Sequence, residues 1–300
     1  MWTVFEQIMI LLIFIAVGFT LGKTKIIKSE QSKVLSSLLV YVFLPCNIFK
    51  TFASRFNVGY ISSSWNAIVI SSIIVIVLSV GAFFLVKLFT KEKYERRVFE
   101  YSVVVPNSGY MGIALATSLF DQVGLMTFLM MALPLQIYIY TYGFAILTKR
   151  GLNFKKLINP VIIATLLGMV IGLCELPMPD FIGSILDSAS ACMAPISMLL
   201  TGIAISEFRI RDIAFNLKIY PVIIFKLLII PIAIGFILKS FCDANTVAIA
   251  VLLYALPCGM NSVVFPKLVG EDCRSGAGLS LVSTLLSALT VPLVFLIFGI

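Results

Sequence analysis

The chain is 300 residues long, and 60% of those residues are apolar while only 12% are charged. The mean hydropathy of +1.10 lies far above that of soluble domains, so the composition excludes a water-soluble globular fold. The formal net charge is +8, and its meaning depends on where the basic residues fall along a membrane-embedded chain.

Ten apolar runs follow one another along the chain, each close to the ~20 residues that a helix needs to cross a bilayer. They cover residues 5–22, 34–53, 66–89, 99–120, 123–147, 158–175, 183–206, 217–239, 245–267 and 276–299. The first run contains Glu6 and has no basic stretch before it, so we expect it to be retained rather than cleaved as a signal peptide. The pattern predicts an all-α membrane protein, and the runs are called predicted spans 1 to 10 below.

Basic residues alternate between the loops of this pattern. One set of loops carries Lys23, Lys25, Lys28, Lys33, Lys87, Lys91, Lys93, Arg96, Arg97, Lys149, Arg150, Lys155, Lys156, Arg209, Arg211, Lys218, Lys267 and Arg274. Only Lys50, Arg55 and Lys239 fall on the other set, and Lys226 lies inside predicted span 8. Because basic loops stay in the cytoplasm, this alternation predicts a protein of the cytoplasmic membrane. Both of its termini are predicted to lie on the outer side of that membrane.

Two proline motifs recur at nearly constant spacing. Pro45 in span 2 and Pro195 in span 7 are 150 residues apart, and Pro106 in span 4 and Pro257 in span 9 are 151 apart. Matching offsets indicate an internal duplication, although prolines are common in membrane helices and chance coincidence is the alternative. Since each half has five spans, the second half is expected to be inverted in the membrane. The two halves are residues 1–150 and 151–300.

The prolines of spans 4 and 9 are followed by residues that disfavour a helix interior. The candidate break residues are Pro106, Asn107, Ser108 and Gly109 in span 4, and Pro257, Gly259, Asn261 and Ser262 in span 9. Interrupted helices are tolerated at membrane depth only inside protein or beside a water-filled cavity, so both breaks predict a cavity. The alternative is a pair of kinked helices whose polar residues satisfy one another.

Both helix segments that follow these prolines should begin near the middle of the membrane. Helix N-termini carry free N–H groups and a partial positive charge, which favour an anion such as a carboxylate. Asn107, Ser108, Asn261 and Ser262 would add side-chain donors, and Asn47 in the proline motif of span 2 is a further candidate contact. We therefore expect a binding site for a small organic anion.

Four stretches resemble the auxin efflux carrier family, which includes plant auxin exporters and bacterial malate and malonate permeases. They are LLVYVFLP at residues 38–45, PNSGYMGI at 106–113, LQIYIYT at 135–141 and ALPCGMNSVVF at 255–265. The resemblance extends along the whole chain. It implies ten helices in two inverted repeats, with spans 1, 2, 6 and 7 as a scaffold and the others as a transport domain that moves by an elevator mechanism.

The resemblance also implies that the broken spans 4 and 9 cross inside the transport domain. By position, Asn107 and Gln136 are implied as substrate contacts, whereas plant members differ around Asn261. The loop between spans 5 and 6 has only about ten residues, so regulation through the long cytoplasmic loop of plant carriers is not expected.

The acidic residues near the predicted spans lie at helix ends, as Glu100, Asp121 and Asp187 do, which argues against cation exchange at the crossing. Lys226 lies inside span 8, roughly 12 Å from its start at ~1.5 Å per residue. Its charge would balance an anionic substrate, or its side chain would extend to the cytoplasmic surface. Both interpretations stay open at this point.

The sequence contains no catalytic or cofactor-binding pattern. It has no histidine, no GxSxG, HExxH or phosphate-binding GKS or GKT motif, and its six cysteines form no CxxC pair. We therefore expect no enzyme activity, metal or cofactor. The alternating basic residues argue against nucleic acid. The expected partners are an organic anion, the lipid bilayer and, for self-association, a second copy through the scaffold spans.

These features together predict a secondary transporter of small organic anions. A passive anion channel or a membrane ligand sensor that uses the same cavity is the alternative. Because the pocket size depends on packing, malate, malonate, another dicarboxylate and an aromatic carboxylate are all candidate substrates.

Overall fold

The structure is a computed structural model that describes residues 2–149, 160–206 and 216–299. Apart from short connections these residues are helical, and their one strand-like feature is an isolated antiparallel bridge between Pro106 and Cys258. The helices are α1 (Trp2–Lys23), α2 (29–55), α3 (58–88), α4 (Lys93–Val104), α5 (108–119), α6 (122–148), α7 (Pro160–Leu173), α8 (Asp180–Ala191), α9 (Met193–Ser206), α10 (Ile219–Leu238), α11 (Ala244–Ala255), α12 (Asn261–Val269) and α13 (Arg274–Phe298). The prediction of an all-α fold is confirmed.

Six helical stretches of the described chain are long and apolar enough to cross a membrane, judged by length and composition. They are Glu30–Ser54, Trp65–Leu88, Val123–Thr148, Asp180–Ser206, Ile219–Leu238 and Arg274–Phe298, which coincide with predicted spans 2, 3, 5, 7, 8 and 10. Predicted spans 4 and 9 are each divided by a break at a proline. Span 1 contains a shorter apolar helix, Leu12–Lys23, and span 6 begins outside the described residues. Arg150, Lys155, Lys156, Arg209 and Arg211 also lie outside them.

Helix α2 packs against α7 so closely that the backbones of the two helices are in contact. The reason is a pair of glycines on α7, Gly168 and Gly172, which face the carbonyl groups of Phe49 and Phe52 on α2. A Cβ atom added to these glycines would lie 2.9 and 2.5 Å from the two carbonyl oxygens, closer than real Cβ atoms come. Glycines four residues apart allow such close helix contacts in membranes, where tight packing drives association.

Helix α1 packs against α9 in the same way. Gly18 of α1 faces the backbone of Leu199 on α9, and Gly22 approaches α9 one turn later. Gly18 and Gly168 are 150 residues apart, and so are Phe49 and Leu199, the residues that they face. The 150-residue offset between the proline motifs thus recurs in the contacts between helices. It recurs at glycines that lie outside the proline motifs.

A second group of helices packs around α11, whose residues 247–255 are all buried. Helix α11 contacts α6, α10 and α13, and α3 packs on α6. The C-terminal end of α11, where the second break begins, therefore lies in the protein interior rather than against lipid.

Buried Glu95 holds the ends of α4, α10 and α13 together, just before predicted span 4. Its carboxylate accepts hydrogen bonds from the hydroxyls of Thr90 and Ser275, the latter at 3.1 Å, and Lys218 Nζ lies 3.4 Å away. Burial alone would raise the pKa of this carboxyl, but the hydrogen bonds and the lysine charge together lower it below its ordinary value. Glu95 is therefore a charged anchor between three helices.

Replacing Gly168 with leucine should destabilise the protein by about 1–3 kcal/mol, because the new side chain collides with the Phe49 carbonyl group. Gly81→Leu on α3 is the matched control, since an added Cβ there meets no atom within 4 Å. Thermal unfolding of detergent-purified protein measures both variants. Equal unfolding midpoints would contradict the close contact between α2 and α7.

Candidate functional site

The two helix breaks have the same local cause. Val105 and Leu256, which precede the two prolines, have extended backbone angles of φ −97°, ψ 110° and φ −62°, ψ 150°. The ring of a following proline disfavours helical angles at the residue before it. Helices α4 and α11 therefore each end one residue earlier, and helical structure resumes at Ser108 and Asn261.

The two breaks cross and bond to each other. The N–H group of Asn107 donates to the carbonyl oxygen of Pro257 at 2.8 Å, and the N–H group of Gly259 donates to that of Val105 at 2.9 Å. Backbone groups released by the breaks thus find partners inside the protein, as membrane depth demands. This differs from the expectation that the N–H groups at both breaks are free for a ligand, because two of them are used in the crossing.

A cavity of about 40 Å³ lies beside this crossing. It is lined by Leu44, Asn47, Ile48, Val105, Pro106, Asn107, Ser108, Gly109, Gln136, Ile139, Tyr140, Met193, Gly259, Met260 and Asn261. This volume holds a few water molecules, because each one needs roughly 10–15 Å³ of accessible cavity volume. Pockets for drug-sized ligands are commonly about 300–1,000 Å³. The walls must therefore separate before an organic molecule fits.

Within the described ranges, two amide groups in this cavity are buried without a hydrogen-bond partner. They are Nδ2 of Asn107, a residue that is 3% exposed, and Oε1 of Gln136 on α6. Buried polar atoms nearly always have a partner, and an unsatisfied one costs about 1–3 kcal/mol. Because rotation of an amide by 180° exchanges its oxygen and nitrogen, both residues can donate to an oxygen of a ligand. This pair makes the cavity a candidate binding site.

Asn47 and Asn261 add polar groups to the lining from two different helices. Asn47 belongs to α2, one of the glycine-paired helices, whereas Asn261 begins α12 after the second break. Both residues are half-buried, Ser108 is buried and Gly109 is exposed. The cavity therefore lies between the glycine-paired helices and the helices that surround α11.

Three predicted site residues do not line the cavity. Ser262 is fully buried, and its hydroxyl donates to the Gly259 carbonyl oxygen at 2.9 Å, with its backbone against Gly276 of α13. Lys226 of α10 is fully buried as well, so its side chain does not extend to the cytoplasmic surface. Pro257 contributes its carbonyl oxygen to the crossing and is not itself part of the lining.

The Lys226 ammonium group has no hydrogen-bond partner in the part of the chain that the structure describes. It lies 5.9 Å from the ring centre of Tyr254 on α11, whose hydroxyl is 3.2 Å from Ser71 Oγ. None of the ion pairs among the described residues includes Lys226. Attraction to an aromatic ring offsets only part of the cost of burying a charge, and no counter-ion for this lysine is found among the described residues.

A polar stripe on α13 supports the crossing and was not predicted as part of the site. Ser280, Ser283, Thr284 and Ser287 are all buried and lie on one face of the helix. Ser283 Oγ accepts a hydrogen bond from the N–H group of Cys258 at 3.0 Å. The spacing of these residues at i, i+3, i+4 and i+7 in an apolar run is the signal that identifies the stripe.

A protein-family model described as membrane transport protein matches residues 3–157 and, a second time, residues 151–295. The chain belongs to this family. The resemblance to the auxin efflux carrier family is confirmed, and the protein is a multi-pass membrane transporter rather than an enzyme. It is also 23% identical over 300 residues to an uncharacterized transporter of Methanocaldococcus jannaschii, with 96% of each chain covered.

Replacing Lys226 with methionine should stabilise the transporter by about 1–4 kcal/mol, because a side chain of similar length then fills the site without burying an unpaired charge. Transport should fall in the same variant, since ionisable groups inside a membrane commonly serve function. Lys239→Met, at an exposed position after α10, should leave the unfolding midpoint and transport unchanged. A lowered midpoint for Lys226→Met would show that the lysine charge is compensated.

Proposed function

We propose that this transporter carries small organic anions, carboxylates in particular, through the cavity at the crossing. The observation that carries the proposal is the buried amide pair of Asn107 and Gln136, which lack partners. A carboxylate accepts a hydrogen bond from each amide at its two oxygens. The N-terminus of α5, which begins at Ser108 in the cavity lining, adds a partial positive charge. Asn47 and Asn261 line the same cavity and supply further donors.

The charge distribution around the cavity favours an anion over a cation. None of the described lining residues carries a charge, so a bound ion meets neutral donors rather than a fixed counter-ion. A candidate for a balancing charge is Lys226, which is buried in the helix group around α11 and has no carboxylate partner among the described residues. A positive charge in a low-dielectric interior attracts an anion at longer range than it would in water.

The mechanism that we propose is an elevator-type movement of α3–α6 and α10–α13 relative to α1, α2 and α7–α9. The glycine contacts hold α1 on α9 and α2 on α7 at backbone distance, which makes those helices a stiff scaffold. The cavity lies on the boundary between the two groups, and its volume of about 40 Å³ is too small for a carboxylic acid. Movement at this boundary opens the cavity without disturbing either group.

This movement fits ten membrane spans in two inverted halves, 1–150 and 151–300. In this arrangement α4 with α5, α8 with α9, and α11 with α12 each form one span. The double family match and the 150-residue offset of the glycine contacts support the duplication. The distribution of basic residues supports a cytoplasmic membrane location with both termini outside.

Asn107→Ala should reduce uptake of a labelled carboxylate at least tenfold, because a hydrogen bond to a charged group contributes about 1.5–3 kcal/mol. Stability should not fall, since Nδ2 has no partner to lose. Asn66→Ala, at an exposed position outside the cavity, is the matched control. A thermal-shift screen that includes malate and malonate selects the labelled carboxylate, because a ligand of the folded state raises its stability.

The outcomes of this experiment separate the site from the mechanism. Unchanged uptake by Asn107→Ala would exclude the crossing as the binding site. Saturable counterflow of the labelled anion from proteoliposomes indicates a carrier, whereas unsaturated conductive flux indicates a channel. If no carboxylate stabilises the purified protein, the organic-anion proposal itself is contradicted.

Cysteines introduced by Lys25→Cys and Lys91→Cys should be protected from a membrane-impermeant maleimide in intact cells, because both loops are predicted to be cytoplasmic. Lys239→Cys, on the opposite side, should be labelled. The native cysteines are replaced first, although Cys258 and Cys273 are buried. Labelling of the Lys25→Cys and Lys91→Cys variants, but not of Lys239→Cys, would show that the true topology is the inverse of the proposed one.

A further inference from the structure

A second cavity, of about 510 Å³, lies between the adjoining ends of α3, α4 and α6, on the predicted cytoplasmic side. Its charged lining residues are Lys87, Lys93, Arg96, Arg97, Glu100 and Lys149, and we call it the basic cavity. Phe83, Val86 and Ile146 form an apolar wall beside them. We infer that the basic cavity binds the phosphate headgroup of an anionic phospholipid. This inference is independent of what the crossing carries.

Most basic residues of this cavity have no carboxylate within ion-pair distance. Among the described residues, only Lys149 of the five forms an ion pair, with Glu271 at 2.6 Å. The single acidic lining residue, Glu100, is buried and accepts a hydrogen bond from the Tyr142 hydroxyl at 2.7 Å. Four cations therefore share one pocket without a direct counter-ion. The two non-bridging oxygens of a phosphodiester match the paired N–H groups of an arginine guanidinium in particular.

The depth of the cavity favours a lipid over a soluble anion. The apolar stretch of α3 ends at Leu88, so Lys87 lies where the hydrocarbon core gives way to the headgroups. One turn earlier, Phe83 and Phe84 are 46% and 61% exposed. Lys87 Nζ lies 3.9 Å from the Phe83 ring centre and 4.9 Å from that of Phe84. A lipid meets both features, because its phosphate reaches the cations while its acyl chain covers the rings.

The volume and setting of the cavity agree with this ligand. About 510 Å³ is within the common range for small-molecule pockets and is more than ten times the volume at the crossing. Basic pockets between membrane helices on the cytoplasmic side are a recurrent way of binding anionic headgroups. A soluble dicarboxylate would use the cations but would leave the exposed aromatic rings uncovered.

The test is a titration of the purified full-length transporter in detergent with phosphatidylglycerol or phosphatidylcholine. We expect phosphatidylglycerol to raise the unfolding midpoint by several degrees and phosphatidylcholine to have little effect. The double variant Lys93→Gln/Arg97→Gln should lose most of this shift. The control Lys33→Gln/Lys91→Gln removes two exposed basic residues outside the cavity and should keep the shift.

A second variant separates the charges of the cavity from its shape. Ile146→Trp fills the space while keeping every charge, and it should also abolish the shift with phosphatidylglycerol. Equal shifts with the two lipids, or a full shift in both cavity variants, would overturn the proposal. Displacement of the lipid by excess glycerol phosphate or malonate would assign the cavity to a soluble anion and would overturn it as well.

Discussion

Backbone hydrogen bonding at membrane depth is the constraint on which this structure depends. Pro106 and Pro257 each remove a donor and force an extended residue before them, so two helices are interrupted inside an apolar protein. Either break alone would leave backbone groups without partners. The crossing resolves this, because the N–H groups of Asn107 and Gly259 each bond to the opposite break. The crossing that satisfies the backbone therefore also places polar side chains in the membrane interior.

Positive charge is distributed around the transporter at two depths, with different consequences. At the crossing the described lining residues are neutral and Lys226 lies outside the lining, so the anion that we propose as substrate would be attracted without a direct ion pair. Neutral donors suit a substrate that must be released after each cycle. In the basic cavity the cations themselves form the wall. Direct contacts of that kind suit a ligand that stays bound for longer.

The breaks could be predicted from the sequence because proline acts on its immediate neighbours, whatever surrounds it. Gln136 was assigned only through the family resemblance, since nothing local distinguishes it from other polar residues in an apolar run. Ser262 and Lys226 could not be placed, because the direction of a helix residue depends on the packing of other helices. Ser262 bonds within its own turn, and Lys226 faces Tyr254 of α11. The four-residue spacing of the glycine pair on α7 can be read in the sequence, but the sequence does not identify α2 as the helix that packs against it.

Methionine side chains on the cavity wall have a consequence for selectivity. Met193 begins α9 in the glycine-paired group, and Met260 precedes α12 in the other group. A thioether chain is unbranched and polarizable, and it changes shape by bond rotation without moving the backbone. The surfaces that would part in the proposed movement are thus deformable, whereas the glycine contacts behind them are rigid. A deformable cavity wall of this kind accommodates substrates of different shapes. Substitution of a few wall residues would therefore change the substrate preference while the packing of the helices stays the same.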